Sequence, residues 1–134
     1  MASDFGKLLD AIESENTALR LAHQRLGKAY EKLDGRLTRL GAATRIEPYE
    51  VDKKSKLTIG YRRFENTWNI STIVAGVAGL EAEVPVGETT PERQADLMPH
   101  VAGLLDKIAK ALGEDVKAAQ KAVDTAEKLI SALP

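Results

Sequence analysis

The 134 residues suffice for one domain with a real core, yet only six are aromatic, so that core must be mostly aliphatic. A formal net charge of -1 argues against a protein that coats nucleic acid over its whole surface. The absence of cysteine excludes disulfides, thiolate metal sites and cysteine nucleophiles. Charge is nonetheless uneven. Residues 1–42 carry seven basic and six acidic side chains, residues 43–75 six and four, and residues 76–134 six and ten. The middle is mildly basic and the end acidic, an asymmetry that could guide self-association or a partner.

The first element is a long helix over residues 4–41. Phe5, Ile12, Leu19, Leu26, Leu33 and Leu40 recur every seven residues. Leu9, Asn16, His23, Tyr30 and Leu37 fall between them at alternating steps of four and three. This is a heptad seam with the first row at d and the second at a. Ser3 or Asp4 can cap it, because their oxygens accept bonds from unpaired first-turn amides. Gly27 and Gly35 weaken the helix, and Asp34-Gly35 is a turn dipeptide, but Leu37 and Leu40 continue the seam to a stop at Gly41. Small or apolar residues at g (Leu8, Ala22, Ala29) widen the stripe, as packing against more than one neighbour requires.

From residue 43 the period becomes two. Ile46, Tyr49 and Val51 alternate imperfectly, and Pro48 restricts this stretch to an edge strand. Leu57, Ile59 and Tyr61 form a second alternating set, and Trp68, Ile70, Thr72 and Val74 a third, joined across the short loop at residues 65–67. Residues 43–86 therefore read as an antiparallel meander of three strands, with residues 81–86 a fourth strand or a linker. The small, Gly-rich 75–80 segment is a turn. Gly76 to Gly79 matches the GxxG of a KH loop in form, but lacks its basic flanks and helices. The helical region 90–133 opens on Thr90-Pro91-Glu92, a cap, a first-position proline and a first-turn acid. Pro99 kinks this helix or begins a longer one. An apolar stripe then runs from Val101 to Leu133, with a potential break at residues 113–115.

The fold class is thus α+β: a long N-terminal helix, a small antiparallel meander, and a long or kinked C-terminal helix, in one domain spanning residues 1–134. If the sheet sits at one end, the helices return antiparallel. This order is similar to that of prefoldin-type chaperone subunits, which carry β-hairpins between coiled-coil helices. The similarity lies in element order alone.

Chemistry-bearing residues are few. His23 lies on the seam, where histidines pack more often than they catalyse. Glu92, Asp96 and His100 would share a face at i, i+4, i+8 and could hold a metal, but Pro99 disrupts that geometry. No phosphate loop or dinucleotide fingerprint occurs, so no cofactor is expected. Two function classes remain. One is a non-enzymatic interaction or scaffold protein that forms a homodimer through Leu19, Leu26, Leu33 and Leu37. The other is a nucleic-acid binder using the basic, aromatic meander, with Lys53, Lys54 and Arg62 as contacts. The first residues lack a signal peptide's blocks, and the longest weakly polar run, at 73–80, is far below the ~20 residues that span a bilayer. A cytoplasmic protein without membrane contact is expected.

Overall fold

The computed structural model describes residues 2–134 and is α+β. Helix α1 (Ala2–Leu40) leads into strands β1 (Ile46–Asp52), β2 (Leu57–Phe64), β3 (Thr67–Ala75) and β4 (Glu81–Pro85). Helices α2 (Pro91–Leu97) and α3 (Val101–Ser131) follow. The four strands form one antiparallel sheet in chain order.

Alternation decides which face of the sheet is covered. Leu57, Ile59 and Tyr61 of β2 are buried. Tyr61 pairs with Ile70 and Arg63 with Trp68, which brings Ile70 and Trp68 to the same face. The Tyr61 and Trp68 rings stack with centroids 5.1 Å apart. β1 is an edge strand, and its register with β2 shifts between Ile46 and Tyr49, around Pro48. Opposite that proline stands Gly60, where a Cβ would lie 3.1 Å from Pro48 Cγ and 3.0 Å from Ser71 Oγ. The segment that alternates weakly after residue 80 is a true fourth strand, pairing Glu81–Pro85 with Ala75–Ser71. The Gly76–Gly79 stretch forms the preceding turn, closed by the Gly76 N–H donating to the Leu80 carbonyl at 2.6 Å.

The helix signals resolve in detail. Thr90 caps α2, its hydroxyl accepting from the Arg93 N–H, with Pro91 in the first turn. Pro99 sits in a 3-10 turn, Met98–His100, between α2 and α3. Residues 113–115 do not break α3, and Gly27 and Gly35 do not break α1. α1 begins at Ala2, so Asp4 lies inside the first turn rather than at a cap.

All three helices cover one sheet face. The core joins Tyr30 and Leu37 of α1 to Leu97 of α2 and to Val101, Leu104 and Ile108 of α3, over Leu57, Ile59, Tyr61 and Ile70. Buried polar groups are paired: the Tyr30 hydroxyl donates to the Gln94 carbonyl, and the Tyr61 hydroxyl to the Ala42 carbonyl, both at 2.8 Å. Burial raises both phenol pKa values, Tyr61 to about 12, and the nearby Asp34 charge adds to the effect.

The side-chain contacts also fix helix direction. Along α1, Asp34 reaches Ile70 and Thr38 reaches Trp68, so the helix advances as β3 recedes. Along α3, Lys107 lies over the Tyr49 ring at 4.4 Å, and Asp115 accepts from Thr44 at 3.1 Å, so α3 advances as β1 recedes. β1 and β3 are each antiparallel to β2 and therefore parallel to one another. Hence α1 and α3 run the same way, not antiparallel as a helical hairpin requires. The main contacts of α1 are with β3 and α2, and those of α3 with β1 and β2. The first half of α1 leaves the body where β3 ends; the second half of α3 leaves it at the opposite end.

Candidate interaction surface

α1 is joined to the sheet by two side chains one helical turn apart. β4 pairs only with residues 71–75, so the first half of β3 has an unpaired edge. Successive outward amides on such an edge are two residues apart, ~6.6 Å. Residues i and i+4 of a helix are ~6 Å apart. Asp34 Oδ1 accepts from the Ile70 N–H at 2.9 Å, and Thr38 Oγ1 from the Trp68 N–H at 2.9 Å. Asp34 Oδ2 also accepts from the Asn69 amide at 3.0 Å. The helix thus closes a strand edge that would otherwise offer a template for another strand. Burial pushes the Asp34 carboxyl up to about 6, although the bonds from Ile70 and Asn69 pull it down. Asp34 is therefore a structural carboxylate, and its shift has a structural cause.

Beside this joint lies an open groove of about 550 Å³, lined by Gly27, Glu31, Gly35, Asn69, Pro85 and Glu88 among others. Gly27 and Gly35 remove side chains from the α1 wall, which explains why helix-weakening residues occur there. No buried side-chain polar atom among the described residues lacks a partner, so none is left free to orient a ligand in the groove.

Outside the body, both helices are bare apart from the Asp115 bond to Thr44. Residues 4–22 of α1 and 113–131 of α3 are all exposed. Each range extends ~28 Å at 1.5 Å per residue. The α1 arm carries Phe5, Leu8, Leu9, Ile12 and Leu19 in water, with Ile12 64% exposed. The α3 arm carries Val116, Val123, Leu129 and Ile130, with Ile130 66% exposed, and the exposed Leu133 follows just past the helix end. The nine of these that lie within the helices make two stripes, each on one side of its helix.

The structure divides the four leucines assigned to self-association. Leu37 is buried in the chain's own core, and Leu26 and Leu33 pack partly against it. Leu19 alone stands open, on the α1 arm. The seam is one pattern in sequence, but its second half is already occupied by the sheet. The arm residues of α3 were legible only as a stripe; their exposure needed the parallel direction of the helices, which periodicity does not encode.

The basic residues do not converge. Lys53 and Lys54 are exposed at the β1–β2 turn. Arg62 lies about 17 Å along β2 from that turn, at 3.3 Å per residue. Its guanidinium pairs with Glu83 at 3.2 Å and lies 5.8 Å from the Phe64 ring centroid. His23 is half-buried where the α1 arm meets the body, and His100 half-buried in the 3-10 turn. The described residues contain no group of three or more His, Cys, Asp or Glu placed to hold a metal ion, so Glu92, Asp96 and His100 do not form one. No helix is long and apolar enough to cross a membrane. No protein-family model, curated protein or solved structure matches the chain.

Proposed function

We propose that this is a non-enzymatic scaffold protein that self-associates through its helical arms, with the sheet body as a spacer that sets their directions. The observation carrying this reading is the pair of apolar stripes on arms that leave opposite ends of the body. A monomer cannot fold one arm onto the other, so a second copy is the partner that offers matching stripes.

Magnitudes support it. Fully burying a Leu, Ile, Val or Phe side chain contributes ~1.5–3 kcal/mol. Half-burying ten of them contributes on the order of 10 kcal/mol. Association costs roughly 4–15 kcal/mol. One arm pair therefore holds two copies together only where its stripes interlock closely. Light scattering at micromolar concentration tests the reading. The expected mass is twice the 14.5 kDa of the chain, and a clean monomer sinks it.

A further inference from the structure

We infer that two copies pair through their α3 arms alone, antiparallel about a two-fold axis that crosses the pair between Asp124 and Thr125; this deepens the self-association reading and rests on it. The first ground is space. Each stripe continues the helix face that its own sheet covers: Tyr30 and Leu37 lead outward to Leu19 and Leu9, and Leu104 and Ile108 to Val116 and Val123. A helix laid on a stripe therefore enters the layer of the sheet, and its own body must sit beyond the far end of that stripe. Three pairings satisfy this: α1 on α1 antiparallel, α3 on α3 antiparallel, and α1 on α3 parallel. In the α3 pair the two bodies stand at opposite ends of a shared stretch, residues 116–134 of each copy, ~28 Å at 1.5 Å per residue.

The second ground is what the seams contain. Two of the three pairings use the α1 arm, whose seam runs Leu19, Asn16, Ile12, Leu9 and Phe5. Helices interlock only where their three- and four-residue steps match. In the antiparallel α1 pair the matching registers set Asn16 against Ile12 or Phe5; in the parallel pair with α3 they set it against Val123 or Ile130. Each leaves an amide on an apolar side chain that offers it no bond. The antiparallel α1 register that covers the whole arm also opposes Glu13 to Glu13 and Glu15 to Glu15 of the other copy. The parallel pairing, repeated, adds copies head to tail without closing. The α3 seam, Val116, Ala119, Val123, Ala126, Ile130 and Leu133, has no polar member.

The third ground is register. The body holds α3 as far as Asp115, which accepts from the Thr44 hydroxyl, and the chain ends at Pro134. Setting the partner's Pro134 level with Asp115 brings the two arms flush, and in that register their steps match. Val123 then meets Ala126 and Ala119 meets Ile130, each twice, large on small. Leu133, just past the helix end, comes level with Val116. Beside the seam Ala122 flanks Leu129 and Gln120 flanks Glu127, so no like charges oppose.

The chain has no cysteine, so engineered pairs report cleanly. Residues 119 and 130 lie ~16 Å apart along one helix and cannot bridge within it. The variant carrying A119C and I130C should oxidise to a covalent dimer of twice 14.5 kDa, while A119C alone and I130C alone stay unlinked. Linkage by either alone overturns the register. L9C with L19C reports the whole-arm α1 pair and should stay unlinked. If the protein is dimeric by light scattering but L9C/L19C links, or A119C/I130C does not, the α3 pairing is wrong and self-association stands. A mass that climbs past the dimer with concentration means head-to-tail growth through α1, with the same consequence. If the protein is monomeric, both readings fall together.

Discussion

Between residues 23 and 112 the chain covers most of its large apolar side chains and pairs its buried polar ones; beyond those points its helices carry the same kind of stripe into water. The heptad pattern of α1 does not change at that boundary. Tyr30 and Leu37 continue the row that holds Leu9, yet they rest on Gln94 and the core while Leu9 rests on nothing in its own chain. One uniform pattern therefore meets two different surroundings. The body half meets a sheet, and the arm half meets nothing in its own chain. Perturbing each half separately should have separable consequences.

The largest effect is expected from breaking the arms. Ile12→Asp together with Val123→Asp places two carboxylates in the stripes, where burial of an unpaired charge costs several kcal/mol. The dimer should dissociate at concentrations at least ~100-fold above those that dissociate the parent. Sedimentation velocity checks this, and the near-UV dichroism from Tyr61 and Trp68 should persist because both residues belong to the body.

The next effect breaks the body instead. Leu104 is fully buried between α3 and the sheet, and Leu104→Ala should cost about 2–5 kcal/mol through lost burial and a residual cavity. Urea denaturation measures it, preferably in the arm-broken background, so that mass action from association does not mask the loss.

Asp34 sharpens the comparison at the joint between the regions. Its folded pKa, about 6, lies above the unfolded value near 3.8, so the folded state binds a proton more tightly. The stabilisation from that proton is full below pH 4 and is lost as pH rises through 6. At ~1.4 kcal/mol per pKa unit, the loss reaches at most about 3 kcal/mol at pH 7. Asp34→Asn removes the charge but keeps an oxygen for the Ile70 N–H. The Asn69 amide can turn over to accept from the new NH₂, with the Thr67 hydroxyl, which now donates to Asn69 at 2.8 Å, becoming its acceptor. The variant should be more stable than the parent at pH 7. Its stability should be flat between pH 4 and 6, where the parent's declines; a parallel decline in both would place the titrating group elsewhere.

The sheet's edge geometry gives a smaller effect. Gly60→Ala would put a methyl 3.2 Å from the Pro48 Cα, a backbone atom, as well as against Ser71 Oγ. A loss of about 1–3 kcal/mol is expected from the strain, read by thermal or urea melting.

These sites also mark what the residues reveal unaided. Periodicity is local, so the heptads of α1, the alternation of β2 and β3, and the Thr90-Pro91 start were legible. β4 was ambiguous because Glu81 to Pro85 buries little on either face and is held mainly by its pairing with β3. The Asp34-Gly35 dipeptide suggested a turn because aspartate often bonds its own backbone. Here its oxygens are engaged by β3, some 36 residues away, so the helix continues. The direction of α3 relative to α1 was out of reach for the same reason: it is set by Thr44–Asp115 and by the packing of Lys107 on Tyr49, contacts between residues distant in sequence.

The smallest effect concerns the basic side chains of the sheet and its first turn. Arg62 is half-exposed in its pair with Glu83, and Glu83 keeps a second partner, the Ser71 hydroxyl at 2.8 Å. Arg62→Ala therefore leaves the partly buried carboxylate hydrogen-bonded and removes only a solvent-screened attraction. The expected loss is about 0.2–1 kcal/mol, shrinking as salt is raised because screening weakens the parent's pair toward the variant's level. Neutralising Lys53 and Lys54 as well should leave the dimer mass unchanged, since none of the three lies on an arm. A triple variant that dissociates would mean that the sheet, rather than the arms, holds the copies together, and the contrast between body and arms would have to be redrawn around its outer face.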